Sequence, residues 1–142
     1  KGIEVDVEDY GAVASLHILS GPAINTAISA VSAAGGGIVH ARHGSYLTGG
    51  VQLKSNVELR IAQDSALIGS GNKSHWLPRN ISFPLGCDSW FHRAMINQGL
   101  GGLIWAQNAT NFSITGGGLL DGAGLYFNHL FTERSNMFVF VS

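Results

Sequence analysis

From Ile38 to the end, the sequence never sustains a helical period. Short runs follow one another: Ile38-Val39-His40-Ala41, Ser45-Tyr46-Leu47, Val51-Gln52-Leu53, Val57-Glu58-Leu59-Arg60-Ile61 and Ala66-Leu67-Ile68. Glycine, Asn or Asp separates most of them. They resume at Leu103-Ile104-Trp105-Ala106, Phe112-Ser113-Ile114, Leu119-Leu120 and Met137 to Val141. Alternation at period two marks strands that bury one face. The 142 residues include 20 glycines and only three prolines, and that glycine share is about twice the ordinary ~7%. The runs also resemble one another. Lys54-Ser55-Asn56-Val57-Glu58-Leu59, Asn108-Ala109-Thr110-Asn111-Phe112-Ser113-Ile114 and Glu133-Arg134-Ser135-Asn136-Met137-Phe138 each read as an Asn-containing turn followed by a strand. A unit of roughly 20–25 residues built of strands and turns predicts an all-β solenoid, each coil laying its strands beside those of the coil before.

The N-terminal part differs. Ile3-Glu4-Val5-Asp6-Val7 alternates as a strand. The one convincing helix is expected over about 22–34. Ser20 is its N-cap, Pro22 sits near its first position, and Ile24, Ala27, Ile28 and Val31 form an apolar stripe. Gly35-Gly36-Gly37 ends it, glycine being free to take the left-handed conformation. This helix is expected to cap the first coil. From about 71 to 102 the periodicity is lost, and that stretch reads as an irregular excursion. Residues 1–142 are therefore expected to form the N-terminal part of one solenoid domain.

Apolar residues make up 45% and charged residues 12%, with a net charge of −1. This excludes a charge-rich disordered chain and offers no basic surface for nucleic acid or an anionic membrane. No run approaches the ~18 apolar residues of a membrane span. Cys87 is the only cysteine, so no internal disulfide or Cys-X-X-Cys metal site is possible. Lys1 opens the chain without an initiator Met or a signal peptide, and Met137 to Ser142 reads as a strand with no closing turn. Both ends read as cut from something longer. The last coil is then expected to be covered by further β-helix sequence or by another chain.

An ordered series of motifs resembles the N-terminal third of glycoside hydrolase family 28, the polygalacturonase-type pectinases. The series runs Asp9-Tyr10-Gly11-Ala12-Val13-Ala14, Ala23-Ile24-Asn25-Thr26-Ala27-Ile28, Ala33-Ala34-Gly35-Gly36-Gly37 and Gly44-Ser45-Tyr46-Leu47-Thr48-Gly49. It continues with Leu53-Lys54-Ser55-Asn56-Val57-Glu58-Leu59, Ala66-Leu67-Ile68-Gly69-Ser70, Leu103-Ile104-Trp105-Ala106 and Ile114-Thr115-Gly116-Gly117-Gly118-Leu119-Leu120-Asp121-Gly122. The resemblance implies a right-handed parallel β-helix with an N-terminal capping α-helix. It also implies a secreted enzyme of inverting mechanism acting on pectic polysaccharide, with no cofactor. Ser15-Leu16-His17-Ile18-Leu19-Ser20-Gly21 departs from the family, which usually has an acidic, turn-rich stretch there. The family's catalytic carboxylates, active-site His and substrate-binding Arg-Ile-Lys element lie beyond the equivalent of Ser142. No catalytic residue is therefore assigned, and this segment alone is expected to be inactive.

Other residues were weighed singly. Asp121 and Asp88 are read as turn and loop carboxylates rather than as acid–base groups. The histidines are His17, His40, His43, His75, His92 and His129; His40 and His43 sit three apart, which on a strand points them to opposite faces, so no metal is assigned. Trp105 is expected to pack inside a coil. Trp90 and Phe91 are the candidate sugar-contacting aromatics, ahead of Trp76. Arg42, Lys54, Arg60, Arg79 and Arg93 are read as a solvated face rather than a uronate site. Four of nine asparagines lie in Asn-X-Ser/Thr sequons: Asn72, Asn80, Asn108 and Asn111. These are glycosylation candidates and point to a secreted eukaryotic glycoprotein. Asn108 and Asn111, three residues apart, are not expected to be occupied together. The competing reading is a non-catalytic structural, self-assembling or carbohydrate-binding β-helix on the same scaffold.

Overall fold

A computed structural model describes residues 2–70, 102–122 and 136–141. Its elements are β1 (Ile3–Asp6), a 3₁₀ turn (Val7–Tyr10), α1 (Gly21–Ala33), β2 (Gly37–Ala41), β3 (Ser45–Thr48), β4 (Val51–Gln52), β5 (Val57–Ile61), β6 (Ala66–Gly69), β7 (Gly102–Gln107), β8 (Ser113–Gly116), β9 (Leu119–Asp121) and β10 (Asn136–Val141). They form three sheets, ordered β1-β2-β5-β8, β3-β6-β9 and β4-β7-β10. Every pairing is parallel. Three successive strands therefore belong to three different sheets, and each coil lays its strands on those of the coil before. This is a parallel β-helix. Parallel strands joined by crossovers wind right-handed in about 98% of cases.

The interior is one apolar column per inward position. Val5, Val39, Leu59 and Ile114 are register partners across the four-stranded sheet, and Tyr46, Leu67 and Leu120 are partners across β3-β6-β9. Val39, Leu59, Tyr46 and Leu67 are wholly buried. The alternation seen in the sequence is thus the inside–outside alternation of the coils.

α1 packs on β1 to β5 through Ile24, Ala27, Ile28 and Val31, all buried in the common core. It also serves backbone groups of the first coil. Asn25 donates through Nδ2 to the Gly50 carbonyl at 3.0 Å and accepts from the Gln52 N–H at 2.8 Å. Ser32 Oγ donates to the Ser55 carbonyl at 2.9 Å. The helix begins one residue before the expected start and ends one before the expected end. Its C-terminus is a Schellman arrangement, with Gly36 N–H bonded to the Val31 carbonyl and Gly35 N–H to the Ser32 carbonyl. Ser20 does hold the N-cap position, but its hydroxyl makes no cap bond. It exchanges two 3.0 Å bonds with the backbone of Val13 instead and closes the loop before the helix. That loop carries exposed Leu16 and Ile18, and Leu19 bridges to Leu47 at the open side of β3.

The turns entering the four-stranded sheet stack as a row of left-handed residues: Gly36 at φ 113°, Asn56 at φ 67° and Asn111 at φ 56°. Asn111 Nδ2 donates to Asn56 Oδ1 at 3.0 Å, bonding one coil to the next. Asn tolerates this conformation better than other residues with a side chain. Next to the row, Gly37 has φ 147°, and a Cβ there would overlap the backbone of Ile3. The third Asn-turn segment is a different element. Asn136 is in register with Gly102, in the sheet of β4 and β7. It repeats the β7 position and not that of Asn56 and Asn111; an Asn-led strand looks alike in either sheet when only the sequence is read.

Candidate functional site

On two of the three sheets, the side chains that point away from the coil interior form faces with different chemistry. On β1-β2-β5-β8 the outward columns are Glu4, Ile38, Glu58 and Ser113, and beside them Asp6, His40, Arg60 and Thr115. The charged members pair, some across coils and one pair along β5. His40 Nε2 lies 3.0 Å from Glu4 Oε1, and Arg42 Nε donates to Asp6 Oδ2 at 2.7 Å. Arg60 Nε and Thr115 Oγ1 donate to the same oxygen, Glu58 Oε2, at 2.7 and 2.8 Å. Burial alone would raise the Asp6 pKa. The bonds from Arg42 and from the Glu8 N–H outweigh it and hold Asp6 below the usual carboxylate value. Glu58 is lowered first by its Thr115 bond, then by Arg60. Asp6 in turn raises Arg42. An open groove of about 510 Å³ runs over this face and the turn row, bordered by Glu4, Gly36, Asn56, Glu58 and Asn111.

Behind the turn that follows β2, Tyr46 is wholly buried. Its hydroxyl lies 2.6 Å from the Arg42 carbonyl and 2.9 Å from Glu8 Oε1, and its single proton serves either acceptor. Burial first, and then Glu8, push its pKa far up, so it stays a neutral donor.

The outward face of β3-β6-β9 is mainly aliphatic. Its columns are Ser45, Ala66 and Leu119, and Leu47, Ile68 and Asp121. Leu119 is 57% exposed. Asp121 is the one carboxylate at these outward positions. It ends β9 and is exposed, so it sits on a strand and not in the turn that the sequence suggested.

The other sequence candidates divide. His40 and His43 do not converge: His40 faces Glu4, while His43, at φ 71° in the turn, lies 3.8 Å from Asp64. Among the described residues no three His, Cys, Asp or Glu gather as metal ligands. Trp105 is 7% exposed, buried in β7. Arg42 and Arg60 are ion-paired within the first face. Asn108 and Asn111 are both exposed, in the turn between β7 and β8. Asn72, Asn80, Trp76, Trp90, Phe91, Asp88, Cys87, Arg79, Arg93, His75, His92 and His129 lie outside the described residues, as does most of the expected 71–102 excursion. Sequence reasoning missed Glu4, Asp6 and Glu58. Their signal was present: Glu4/Asp6 and Glu58/Arg60 are charges two apart on strands, which share one face. His40, Arg42 and Thr115 reach them from the neighbouring coil, out of reach of a local pattern.

No family model matches the chain, and no curated protein sequence matches it. Solved structures do. A candidate glycosyl hydrolase from Parabacteroides merdae superimposes with TM-score 0.69 at 24% identity, over 87% of this chain and 46% of that one. A hyperthermoactive exopolygalacturonase from Thermotoga maritima gives 0.69 at 27%, over 86% and 25%. A family 28 exopolygalacturonase from Yersinia enterocolitica gives 0.69 at 27%, over 87% and 21%. The chain thus spans less than half the length of each. The fold puts it in the parallel β-helix class. Within that class it resembles the exopolygalacturonases of glycoside hydrolase family 28 over most of its own length.

Proposed function

We propose that this chain is the N-terminal part of a secreted, polygalacturonase-like glycoside hydrolase that acts on pectic polysaccharide. The observation that carries the reading is the match of nearly the whole chain to two exopolygalacturonases at 27% identity. In this reading residues 1–142 form part of a single domain, α1 is its N-terminal cap, and further coils follow Ser142. Inverting hydrolysis needs an acid and a base about 6.5–9.5 Å apart. Among the described residues, the outward face of β3-β6-β9 offers one carboxylate, Asp121; in this reading the segment supplies scaffold and at most a cleft wall. Arg42 and Arg60 are neutralised by Asp6 and Glu58, so recognition of a polyanionic substrate falls to residues outside the first face.

Two assays test this together. The isolated 142 residues should release no reducing sugar from polygalacturonate, and the protein purified from its native source should release it and have a mass several-fold larger. Activity of the isolated segment overturns the division of labour. An inactive native protein of the same small mass overturns the hydrolase reading in favour of a structural, self-assembling one.

A further inference from the structure

The turn between β7 and β8 and its entry into β8 hold two adjacent sequons, Asn108-Ala109-Thr110 and Asn111-Phe112-Ser113. Sequence rules treat them alike, and the structure does not. Asn111 stands directly over Asn56 in the row of left-handed turn residues, and its Nδ2 donates to Asn56 Oδ1 at 3.0 Å. The backbone around it is fixed to the same coil: Asn56 N–H donates to the Thr110 carbonyl at 3.0 Å, and Thr110 N–H donates to Ser55 Oγ at 3.0 Å. Phe112, its neighbour, packs on the core. Asn108 lies at the other end of the turn, just past β7, exposed at φ 55°. Among the described residues nothing holds its amide.

We propose that Asn108, and not Asn111, carries the N-linked glycan of this turn. The inference rests on the secretory reading above. Glycan transfer joins Nδ2 to the anomeric carbon of a lipid-diphosphate-linked oligosaccharide. The anomeric bond to the diphosphate breaks, the lipid diphosphate leaves with the electron pair, and Nδ2 gives up one proton. At Asn108 this removes no bond that the described residues make. At Asn111 it places a pyranose on the atom that bonds the second coil to the third, where parallel strands are spaced only about 4.8 Å apart. A glycan there competes with the coil-to-coil bond, and a coil that has closed leaves Asn111 bare.

The chain, directed by a secretory leader in a glycosylating host, tests the assignment. Enzymatic release of glycans in heavy-oxygen water converts each occupied Asn to a labelled Asp, read by peptide mapping. The expected result is label at Asn108 and unmodified Asn111. Label at Asn111, or an unlabelled Asn108, overturns the proposal. A second measurement on protein from a non-glycosylating host checks the reason. Asn108→Gln should lower the melting temperature slightly, through its positive φ, and Asn111→Gln, which carries the same strain and also loses the bond to Asn56, should lower it more. Equal melting temperatures for the two variants would overturn the argument from the turn row. The native route is read separately: native protein without glycan at any sequon, beside host-made chain labelled at Asn108, refutes passage through a glycosylating secretory route and leaves the assignment standing.

Discussion

Two of the three outward faces of this β-helix rest on the same kind of interior and carry opposite chemistry. The face of β1-β2-β5-β8 carries paired polar groups: the His40–Glu4 contact and the Arg42–Asp6 ion pair cross from coil to coil, and the Arg60–Glu58 ion pair lies along one strand. The face of β3-β6-β9 presents Leu47, Ile68 and Leu119, with Asp121 at its last strand. Beneath both lie columns of stacked apolar side chains. The coil therefore fixes only which positions point out, and leaves the outer residue types open. That freedom is what allows one scaffold to hold different sites, and why fold alone does not settle activity. The first face satisfies its charges internally, which suits a wall.

If the interior is common to both faces, equal cuts beneath them should cost the same. Leu59 and Leu67 are both wholly buried, one under the charged face and one under the aliphatic face. Leu59→Ala and Leu67→Ala should each lower unfolding free energy by about 3 kcal/mol, within the range for buried Leu truncations. Urea unfolding followed by circular dichroism reads both. A difference larger than about 2 kcal/mol would mean that outer ion pairs stiffen the core beneath them, and the two faces would not be independent.

A smaller effect of opposite sign belongs to the second sheet alone. Thr48 is wholly buried in β3, and its Oγ1 has no hydrogen-bond partner. An unpaired buried hydroxyl costs roughly 1–3 kcal/mol of desolvation. Thr48→Val keeps the shape and the β-branched form and removes the polar atom. It should raise stability by about 1 kcal/mol in the same urea experiment. A loss of stability would show that the hydroxyl is satisfied in solution, for instance by a buried water.

How far the sequence reveals these features depends on whether their cause is local. Alternation in Val57-Glu58-Leu59-Arg60-Ile61 is local, so the strand and its buried face were legible. So was the kinship of Asn56 and Asn111, because a left-handed turn residue before a strand leaves a mark at each coil. The register was not legible beyond the second coil. Glu58 pairs with Ser113 and Thr115 across the residues of the expected excursion, which break the repeat. Ser20 was legible as the N-cap, but the partners of its hydroxyl were not, because the acceptor and donor on Val13 arise only once the loop closes. Asp121 was assigned to a turn because the following Gly122-Ala123-Gly124 masks the end of a three-residue strand.

The smallest expected effect tests the charged face directly. Asp6 is faced by Arg42, the Glu8 N–H and His43, and Glu58 by Thr115, Arg60 and His40. Both carboxyls titrate below their ordinary values in the folded chain. As pH falls, the unfolded chain takes up these protons first, near pH 4 for Asp and slightly higher for Glu. Their contribution is therefore complete above about pH 5 and is lost as pH drops through the folded pKa values. Surface pairs of this kind contribute up to about 1 kcal/mol each. The double variant Asp6→Asn with Glu58→Gln should lose roughly half a kcal/mol in all at pH 6, as exposed pairs do, and show a flatter fall in stability between pH 6 and 3. Raising the salt concentration should narrow the difference between variant and parent. A parent and variant with parallel pH curves would show that the ion pairs cross the coils without holding them, and the charged face would then be no more cohesive than the aliphatic one.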